Sequence, residues 1–256
     1  MIRCENIKKT FGQQEVLKGI STVFEPGKAN LIIGKSGAGK TVLLKLLVGL
    51  FAPTSGDIWY GDVNFTRLND RERKAIRTQM GMLFQGSALF DSMSVEENVR
   101  FPLDMFTNFT KKEKQVRVDE TLERVELSGS NAKYPSELSG GMQKRVGIAR
   151  AIILGPKFLF CDEPNSGLDP TTALTIDELI KGLTVEKNMT TVINTHDMNS
   201  VMEIGDHINF IYKGELAWFG NRNEVLHSTD DRLQDFIFAS PFLKRLRDAA
   251  LSNDHL

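Results

Sequence analysis

The stretch ANLIIGKSGAGKTVLLKLLVGL, residues 29–50, decides the fold of this chain. It contains the pattern G-x-x-x-x-G-K-[ST], directly after an apolar strand-like run and directly before an apolar helical segment. Glycines in such a loop let successive backbone N–H groups turn toward phosphate oxygens, and the amino end of the helix adds partial positive charge. The stretch therefore predicts a phosphate-binding strand–loop–helix unit; the alternative is a glycine-rich turn without a ligand.

This loop supplies most of the predicted contacts to a nucleoside triphosphate. Lys40 is expected to reach the β- and γ-phosphates, and the hydroxyl of Thr41 is expected to lie on Mg²⁺. The predicted ligands from the loop are Gly34, Lys35, Ser36, Gly37, Ala38, Gly39, Lys40 and Thr41. We therefore expect ATP and Mg²⁺ as the cofactors.

The bulk composition narrows the class of protein. With 32 Lys and Arg against 33 Asp and Glu, a net charge of −1 gives no general electrostatic reason to bind nucleic acid or an anionic membrane. We see no signal peptide and no run of roughly 20 apolar residues. Cys4 and Cys161 lie far apart, which suits a reducing compartment. We expect a cytoplasmic protein that reaches a membrane only through a protein partner.

Two further apolar runs end in chemically useful side chains. FLFCD (158–162) and TTVINTH (190–196) are separated by a predicted helix at about 172–183, which indicates a parallel α/β sheet with its ligand at the strand ends. Asp162 is placed to hold the Mg²⁺ coordination sphere through water, and Glu163 to polarise the attacking water. His196 is placed to bridge the γ-phosphate and that water.

A second glycine pair opens a helix far downstream, in SELSGGMQKR (136–145). Ser139 is a strong N-cap residue, and Gly140 and Gly141 permit close backbone approach. This is a second helix amino terminus suited to phosphate, and the alternative is an ordinary capped helix.

The ordered set GKSGAGKT, LSGGM, FLFCDEP, GLDP and a histidine after a strand resembles the nucleotide-binding subunit of ATP-binding cassette (ABC) transporters over essentially the whole chain. The resemblance implies an α/β P-loop NTPase fold with a RecA-like parallel-sheet core, an antiparallel β subdomain and an α-helical subdomain. It implies one nucleotide-binding domain at 1–240, with the helical subdomain inserted at about 87–153, and a tail at 241–256.

In that family two cassettes stack head to tail around two ATP molecules, and the LSGG helix of one caps the ATP of the other. The resemblance therefore implies a homodimer in which Ser139, Gly140 and Gly141 contact the partner's nucleotide. It also implies ATP hydrolysis that drives a multi-spanning membrane permease.

Further roles are implied by the resemblance, residue by residue. Gln85 senses Mg²⁺ and the attacking water, Phe11 stacks on adenine, Val16 packs on the ribose, and Asp169 lies at the dimer interface. The chain departs from the family pattern at two positions: Met142 follows LSGG where glutamine is usual, and Asn165 follows DEP where threonine is common.

The wording MLFQ-x-x-ALFDSMSV-x-ENV-x-x-PL (82–103), with LSGGM, is similar to the ATPase subunit of Mce-linked phospholipid transporters of the Mla type. That similarity implies movement of phospholipid between inner and outer membranes. It also implies an Mce-domain lipid-binding partner and attachment to the cytoplasmic face of the inner membrane. Candidate permease contacts are Leu89, Phe90, Met93 and Val95, and the alternative for each is packing within the helical subdomain. The resemblance also implies a tail that contacts the partner cassette, and the alternative is that it packs on its own chain.

Three alternatives stay open. The first is an ABC importer ATPase for amino acids or other small solutes. The second is an ABC ATPase without a membrane subunit, such as an iron–sulfur assembly cassette. The third is a binding module that does not hydrolyse ATP, against which Glu163 argues.

Overall fold

The computed structural model describes residues 1–239 and 244–245. The strands of this part are, in chain order, β1 (Ile2–Phe11), β2 (Gln14–Phe24), β3 (Ala29–Ile33), β4 (Ser55–Tyr60), β5 (Val63–Asn64), β6 (Met80–Leu83), β7 (Phe158–Asp162), β8 (Thr190–Asn194), β9 (His207–Tyr212) and β10 (Glu215–Gly220). The helices are α1 (Lys40–Leu47), α2 (Asp70–Arg77), α3 (Val95–Phe106), α4 (Lys111–Arg124), α5 (Gly140–Ile152), α6 (Pro170–Glu186), α7 (Met198–Ile204), α8 (Arg222–His227) and α9 (Asp231–Ile237). The predicted tail at 241–256 lies outside the described residues except for 244–245.

A six-stranded sheet forms the centre, in the order β10-β9-β3-β8-β7-β6. All its pairs are parallel except β9 with β10, so the carboxyl ends of β3, β7 and β8 meet at one edge. Asn194 at the end of β8 pairs with Ile32 on one side and with Asp162 on the other. This register places the residues after three strands beside one another.

Each face of the central sheet is covered by a different layer. Side chains alternate along a strand, so neighbours face opposite ways. Ile32 and Phe160 pack toward the smaller antiparallel sheet, whose order is β2-β1-β4-β5. Leu31 and Cys161 pack toward the helices on the other face. Cys161 is fully buried, as expected of a small apolar residue, and burial raises the pKa of its thiol.

Helices α3, α4 and α5 lie between β6 and β7 in the chain. Capping boxes start two of them: Ser94 and Glu97 at α3, and Thr110 and Glu113 at α4. Val95, in the first turn of α3, is completely buried, so the expectation that it contacts a permease is wrong. Its apolar side chain fills the core that these helices share.

The apolar run at 42–50 predicts a helix that extends to residue 50, but α1 ends at Leu47. Gly49 adopts a φ of 74°, in the left-handed region that ends a helix. Within residues 1–239 and 244–245, no helix combines the length and apolarity needed to cross a membrane.

A chain of buried polar groups joins the loop after β7 to α6 and α7. Asn165 Nδ2 donates to Ser200 Oγ at 3.0 Å, and Ser200 Oγ donates to Asp177 Oδ2 at 2.7 Å. Asp177 is almost fully buried, and desolvation raises the pKa of its carboxyl to about 6. The unusual Asn165 therefore belongs to a hydrogen-bonded link between elements.

The raised pKa of Asp177 predicts a pH-dependent stability. The folded chain retains this proton between about pH 4 and pH 6 while the unfolded chain loses it, so the free energy of unfolding falls as pH rises through that window. A pKa difference of about two corresponds to about 3 kcal/mol. Asp177→Asn should therefore raise the melting temperature more at about pH 7.5 than at about pH 4.5.

Glu178→Gln on the exposed side of the same helix is the matched control, and it should show no such difference. Equal shifts of the Asp177→Asn melting temperature at both pH values would show that Asp177 does not titrate in this way.

Candidate nucleotide site

The glycine-rich loop joins β3 to α1 and curls around the Lys40 side chain. Lys40 is 7% exposed, and its Nζ donates to the carbonyl oxygens of Gly34 at 2.8 Å and Lys35 at 3.4 Å. Burial lowers the pKa of Lys40, and the nearby charges of Glu163 and Asp162 oppose that shift. The ammonium group is thereby held inside the loop, where it can meet phosphate oxygens.

Glycine is required at both ends of this loop. Gly34 has a φ of 148°, and a Cβ there would lie 2.3 Å from the carbonyl oxygen of Ile211 on β9. Gly39, the N-cap of α1, has a φ of 106°, and a Cβ there would meet Leu17 at 2.6 Å. The loop therefore fits tightly between the two sheets because it has no side chain at either point.

A cavity of about 780 Å³ opens in front of the loop. Its described lining is Val16, Gly34, Lys35, Ser36, Gly37, Gly39, Lys40, Thr41, Val42, Gln85, Glu163, His196 and Phe236. Most of the predicted site residues therefore meet at one edge of the sheet. Ala38 is buried within the loop, and Asp162 lies just behind the cavity wall.

Asp162 and Thr41 face each other behind the loop, with Oδ1 and Oγ1 3.4 Å apart. The side-chain amide of Asn194 donates to Thr41 Oγ1 at 3.0 Å and to Asp162 Oδ1 at 2.5 Å. Asn194 Oδ1 is buried and has no hydrogen-bond partner among the described residues. A carboxylate, a hydroxyl and a free amide oxygen are the hard oxygen groups that suit Mg²⁺ and its water ligands.

Asn194 was not among the predicted site residues. Its sequence signal is weak, because an asparagine within TTVINTH is one polar residue at the end of an apolar run. Its role depends on pairing with two other strands, which the local sequence does not show.

Glu163 and His196 form a close pair at the cavity. Glu163 directly follows β7 and has a φ of 51°, and its N–H donates to the carbonyl oxygen of Asn194 at 2.9 Å. His196 Nδ1 lies 2.6 Å from Glu163 Oε2. The His196 side chain is two-thirds exposed, whereas that of Glu163 is mostly buried. A carboxylate so oriented can accept a proton from a water in the cavity.

The positions of two phenylalanine side chains relative to the cavity differ from those expected from the sequence. Phe11 is exposed at the end of β1, edge-on to Phe51 with ring centroids 5.4 Å apart, and is outside the described cavity lining. Phe236 on α9 does line the cavity and stacks on Phe210 at 5.3 Å. The sequence gives no sign of this position of Phe236, since nothing local links α9 to the glycine loop.

The second glycine pair is absent from the described lining of this cavity. Ser139 caps α5 by accepting the N–H of Met142 at 3.3 Å, and Ser139 and Gly140 are exposed. A Cβ at Gly141 would lie 2.6 Å from Thr172 Cγ2 on α6, so glycine permits that approach. Asp169 caps α6 through the N–H groups of Thr171 and Thr172. The amino end of α5 is thus left free on the surface.

Comparison with known proteins identifies the class. The family model described as ABC transporter matches residues 17–166, more than half of the chain, and the chain therefore belongs to the ABC transporter family. It is the ATP-binding subunit type of that family and an ATPase, with ATP and Mg²⁺ as cofactors. The fold class predicted from the sequence is confirmed.

Three relatives carry different names. "Probable ribonucleotide transport ATP-binding protein mkl" of Mycobacterium leprae is 36% identical over 92% of this chain and 68% of its own length. "Protein TRIGALACTOSYLDIACYLGLYCEROL 3, chloroplastic" of Arabidopsis thaliana is 35% identical over 94% and 74%. A methionine import ATP-binding protein, MetN, of Carboxydothermus hydrogenoformans is 41% identical over 88% and 67%. The chain thus spans about two thirds to three quarters of the length of these relatives.

A solved structure shows the same fold. It is a dimeric ATP-binding cassette in a post-hydrolysis state, bound to ADP and Pi. It is 31% identical, has a TM-score of 0.79, and the match covers 87% of this chain and 99% of that one.

The pair formed by Glu163 and His196 yields a prediction for hydrolysis. Glu163→Gln should leave the affinity for MgATP nearly unchanged, because the glycine loop is intact. It should lower kcat by about 10² to 10⁴, the usual contribution of a general base. Phosphate release and titration calorimetry measure the two effects.

Glu120→Gln, the same change at an exposed position of α4, is the control and should leave turnover unaltered. If Glu163→Gln hydrolysed ATP at the wild-type rate, Glu163 would not be the base.

Proposed function

We propose that this chain binds MgATP in the cavity at the edge of the central sheet and hydrolyses it to drive a membrane permease. The observation that carries the proposal is the meeting of Lys40, Glu163 and His196 around one cavity. The backbone of residues 34–41 and the Lys40 ammonium bind the phosphates. Thr41 and Asp162, with Gln85 at the cavity, hold Mg²⁺ directly or through water, and Mg²⁺ supplies neutralising charge to the phosphates.

Hydrolysis in this site needs a water to lose a proton as it attacks. Glu163 Oε2 accepts the N–H of His196 Nδ1, which fixes the carboxylate at the cavity that both residues line. The Glu163 carboxylate then takes the proton of the attacking water, and His196 and Gln85 orient that water and the γ-phosphate. Val16 packs against the ribose, and Phe11 offers a stacking face for adenine when it leaves Phe51.

The complete site requires a second copy of the chain. Ser139 and Gly140 are exposed at the amino end of α5, away from the chain's own cavity. A helix amino end with free N–H groups favours an anion, and the γ-phosphate held by another copy is one. The dimeric cassette that this chain resembles supports such a pairing. We infer a head-to-tail homodimer with Ser139, Gly140 and Gly141 on the partner's ATP and Asp169 at the interface.

Mixing two inactive variants tests contact in trans. Ser139→Arg blocks the cap and Lys40→Ala removes the phosphate cradle, so each homodimer should be inactive. In the mixed dimer one site contains Lys40 of the first variant and Ser139 of the second, and both are intact. We expect the mixture to regain up to about a quarter of wild-type ATPase activity, because half the dimers are mixed and each has one active site.

Activity no higher than that of either variant alone would contradict capping in trans. Two Ser139→Arg preparations mixed together are the matched control and should stay inactive.

An apolar groove lies beside the loop that carries Gln85 and joins β6 to α3, and it supplies a surface for the permease. Leu50 and Phe84 are exposed on it, and Phe90, one of the candidate contacts, is exposed as well. The groove has a volume of about 450 Å³ and is lined by Val48, Gly49, Leu50, Arg77, Met80, Met82 and Phe84. We propose that a permease helix seats here, which places the chain at the cytoplasmic face of the inner membrane as a domain spanning 1–240.

Phospholipid is the cargo we propose, with an Mce-domain protein as a further partner. Support comes from the 82–103 wording and from the relative whose name is that of a galactolipid. The second candidate is import of an amino acid, which the methionine import relative favours. The residues of this chain need not touch the cargo in either case.

Purification from the native operon separates these candidates. The tagged chain, extracted gently from membranes, should bring a multi-spanning permease, an Mce-domain protein and phospholipid, all identifiable by mass spectrometry. Leu50→Glu in the groove should lose the permease, whereas Val185→Glu, exposed on α6, should retain it. A solute receptor in place of the Mce protein would favour nutrient import, and the absence of any membrane protein would overturn the transporter assignment.

A further inference from the structure

Two cations on α5 reach across to the loop that carries Gln85. Lys144 Nζ donates to the carbonyl oxygen of Gln85 and lies 3.5 Å from the carbonyl oxygen of Glu163. Arg150 donates to the carbonyl oxygens of Ser87 at 2.6 Å and Ala88 at 2.8 Å. Helix α5 and the Gln85 loop, residues 84–94 between β6 and α3, are therefore joined at three carbonyls.

The backbone of this loop depends on such partners. Ser87 and Ala88 have φ values of 59° and 47°, which residues with a side chain adopt only where surrounding contacts hold them. Gly147 lies between Lys144 and Arg150 on α5. A Cβ there would lie 2.7 Å from Leu83 Cδ1 at the end of β6, so glycine allows α5 to pack closely against that strand. The loop and α5 are thus packed as one unit.

Lys144 is an unusual residue to bury in that position. It is 5% exposed, and burial lowers the pKa of its ammonium group. Taking an ammonium out of water is unfavourable unless hydrogen bonds replace the water. Its partners here are two backbone carbonyls, of residues whose side chains line the nucleotide cavity. A neutral side chain would pack there at lower desolvation cost, so the cation indicates a positioning role.

Lys144 lies between residues of the chain's own nucleotide cavity and the helix end that we assign to the partner's nucleotide. Its carbonyl partners belong to Gln85 and Glu163, which face the chain's own cavity. Its own helix begins at Gly140, the end we assign to the partner's ATP. Lys144, one turn beyond that end, therefore links the Gln85 backbone directly to α5.

We propose that Lys144 is a positioning residue that couples the two ATP sites of the dimer, by locking the Gln85 loop and the Glu163 backbone to α5. This inference rests on the proposed head-to-tail homodimer. When MgATP orders Gln85 and Glu163 in one cavity, Lys144 sets the α5 amino end for the ATP of the partner. Binding at one site thereby favours a competent second site.

The test compares Lys144→Met, which keeps an unbranched side chain of nearly the same length without its charge, with Lys144→Arg. The readouts on the full chain are MgATP affinity by calorimetry at low protein concentration, and kcat and the Hill coefficient for ATP. In Lys144→Met the affinity should be within about twofold of wild type, because the glycine loop is untouched. Its kcat should fall by about 10-fold to 100-fold, as small misplacements of catalytic groups cause.

The Hill coefficient distinguishes coupling from general damage. It should fall from well above one in the wild type to about one in Lys144→Met, and Lys144→Arg should restore most of both quantities. Lys112→Met, an exposed change on α4, is the control and should behave as wild type. If Lys144→Met does not fold, Lys144→Gln carries the same comparison.

Wild-type kcat and Hill coefficient in Lys144→Met would overturn the inference. So would a loss of kcat with an unchanged Hill coefficient, because that result would show a role within one site only. The dimer is tested separately by the mixing of Ser139→Arg with Lys40→Ala. If that mixture regains activity while Lys144→Met behaves as wild type, the coupling role alone fails.

Discussion

The side-chain amide of Asn194 holds together the elements that carry the nucleotide chemistry. It donates to Thr41 at the start of α1 and to Asp162 at the end of β7, and the Asn194 carbonyl accepts the N–H of Glu163. One residue at the end of β8 therefore sets the distance between the two groups suited to Mg²⁺ and fixes the backbone of Glu163, the residue we propose as the general base. These bonds are buried, so each is stronger than it would be in water, and a lost partner would leave an unsatisfied polar group.

The parallel register of the central sheet explains why a few contacts are enough to assemble the nucleotide site. Because β3, β7 and β8 are neighbours, their last residues are brought to one edge without any long-range adjustment. The glycine loop then fits against β9 only because Gly34 has no side chain. The cavity that results contains a buried ammonium, an oriented carboxylate and an exposed imidazole, but within the described residues it lacks any contribution from Ser139. In the proposed dimer, the surface amino end of α5 in one chain completes the open cavity of the other.

Local sequence patterns predicted the structural features that depend on residues close together in the chain. The glycine spacing and the apolar runs at 29–33, 158–162 and 190–194 were sufficient for the strand–loop–helix unit and the parallel sheet, since backbone freedom and periodicity are encoded within a few residues. Contacts between distant segments could not be predicted in the same way. Phe236 reaches the cavity and Lys144 reaches the Gln85 carbonyl only through the tertiary fold, and an isolated phenylalanine or lysine has no distinguishing pattern. Val95 likewise looked like a surface contact and is buried, because the helix phase of α3 turns it inward.

In the proposed dimer, each ATP lies between the glycine loop of one chain and the α5 amino end of the other. The most direct measurement is a crystal structure of the Glu163→Gln chain with MgATP, in which hydrolysis does not remove the nucleotide. We predict two copies related by a twofold axis, with Ser139 and Gly140 of each against the γ-phosphate held by residues 34–41 of the other. ATP bound in the cavity of a single chain, with every Ser139 far from any phosphate, would contradict it.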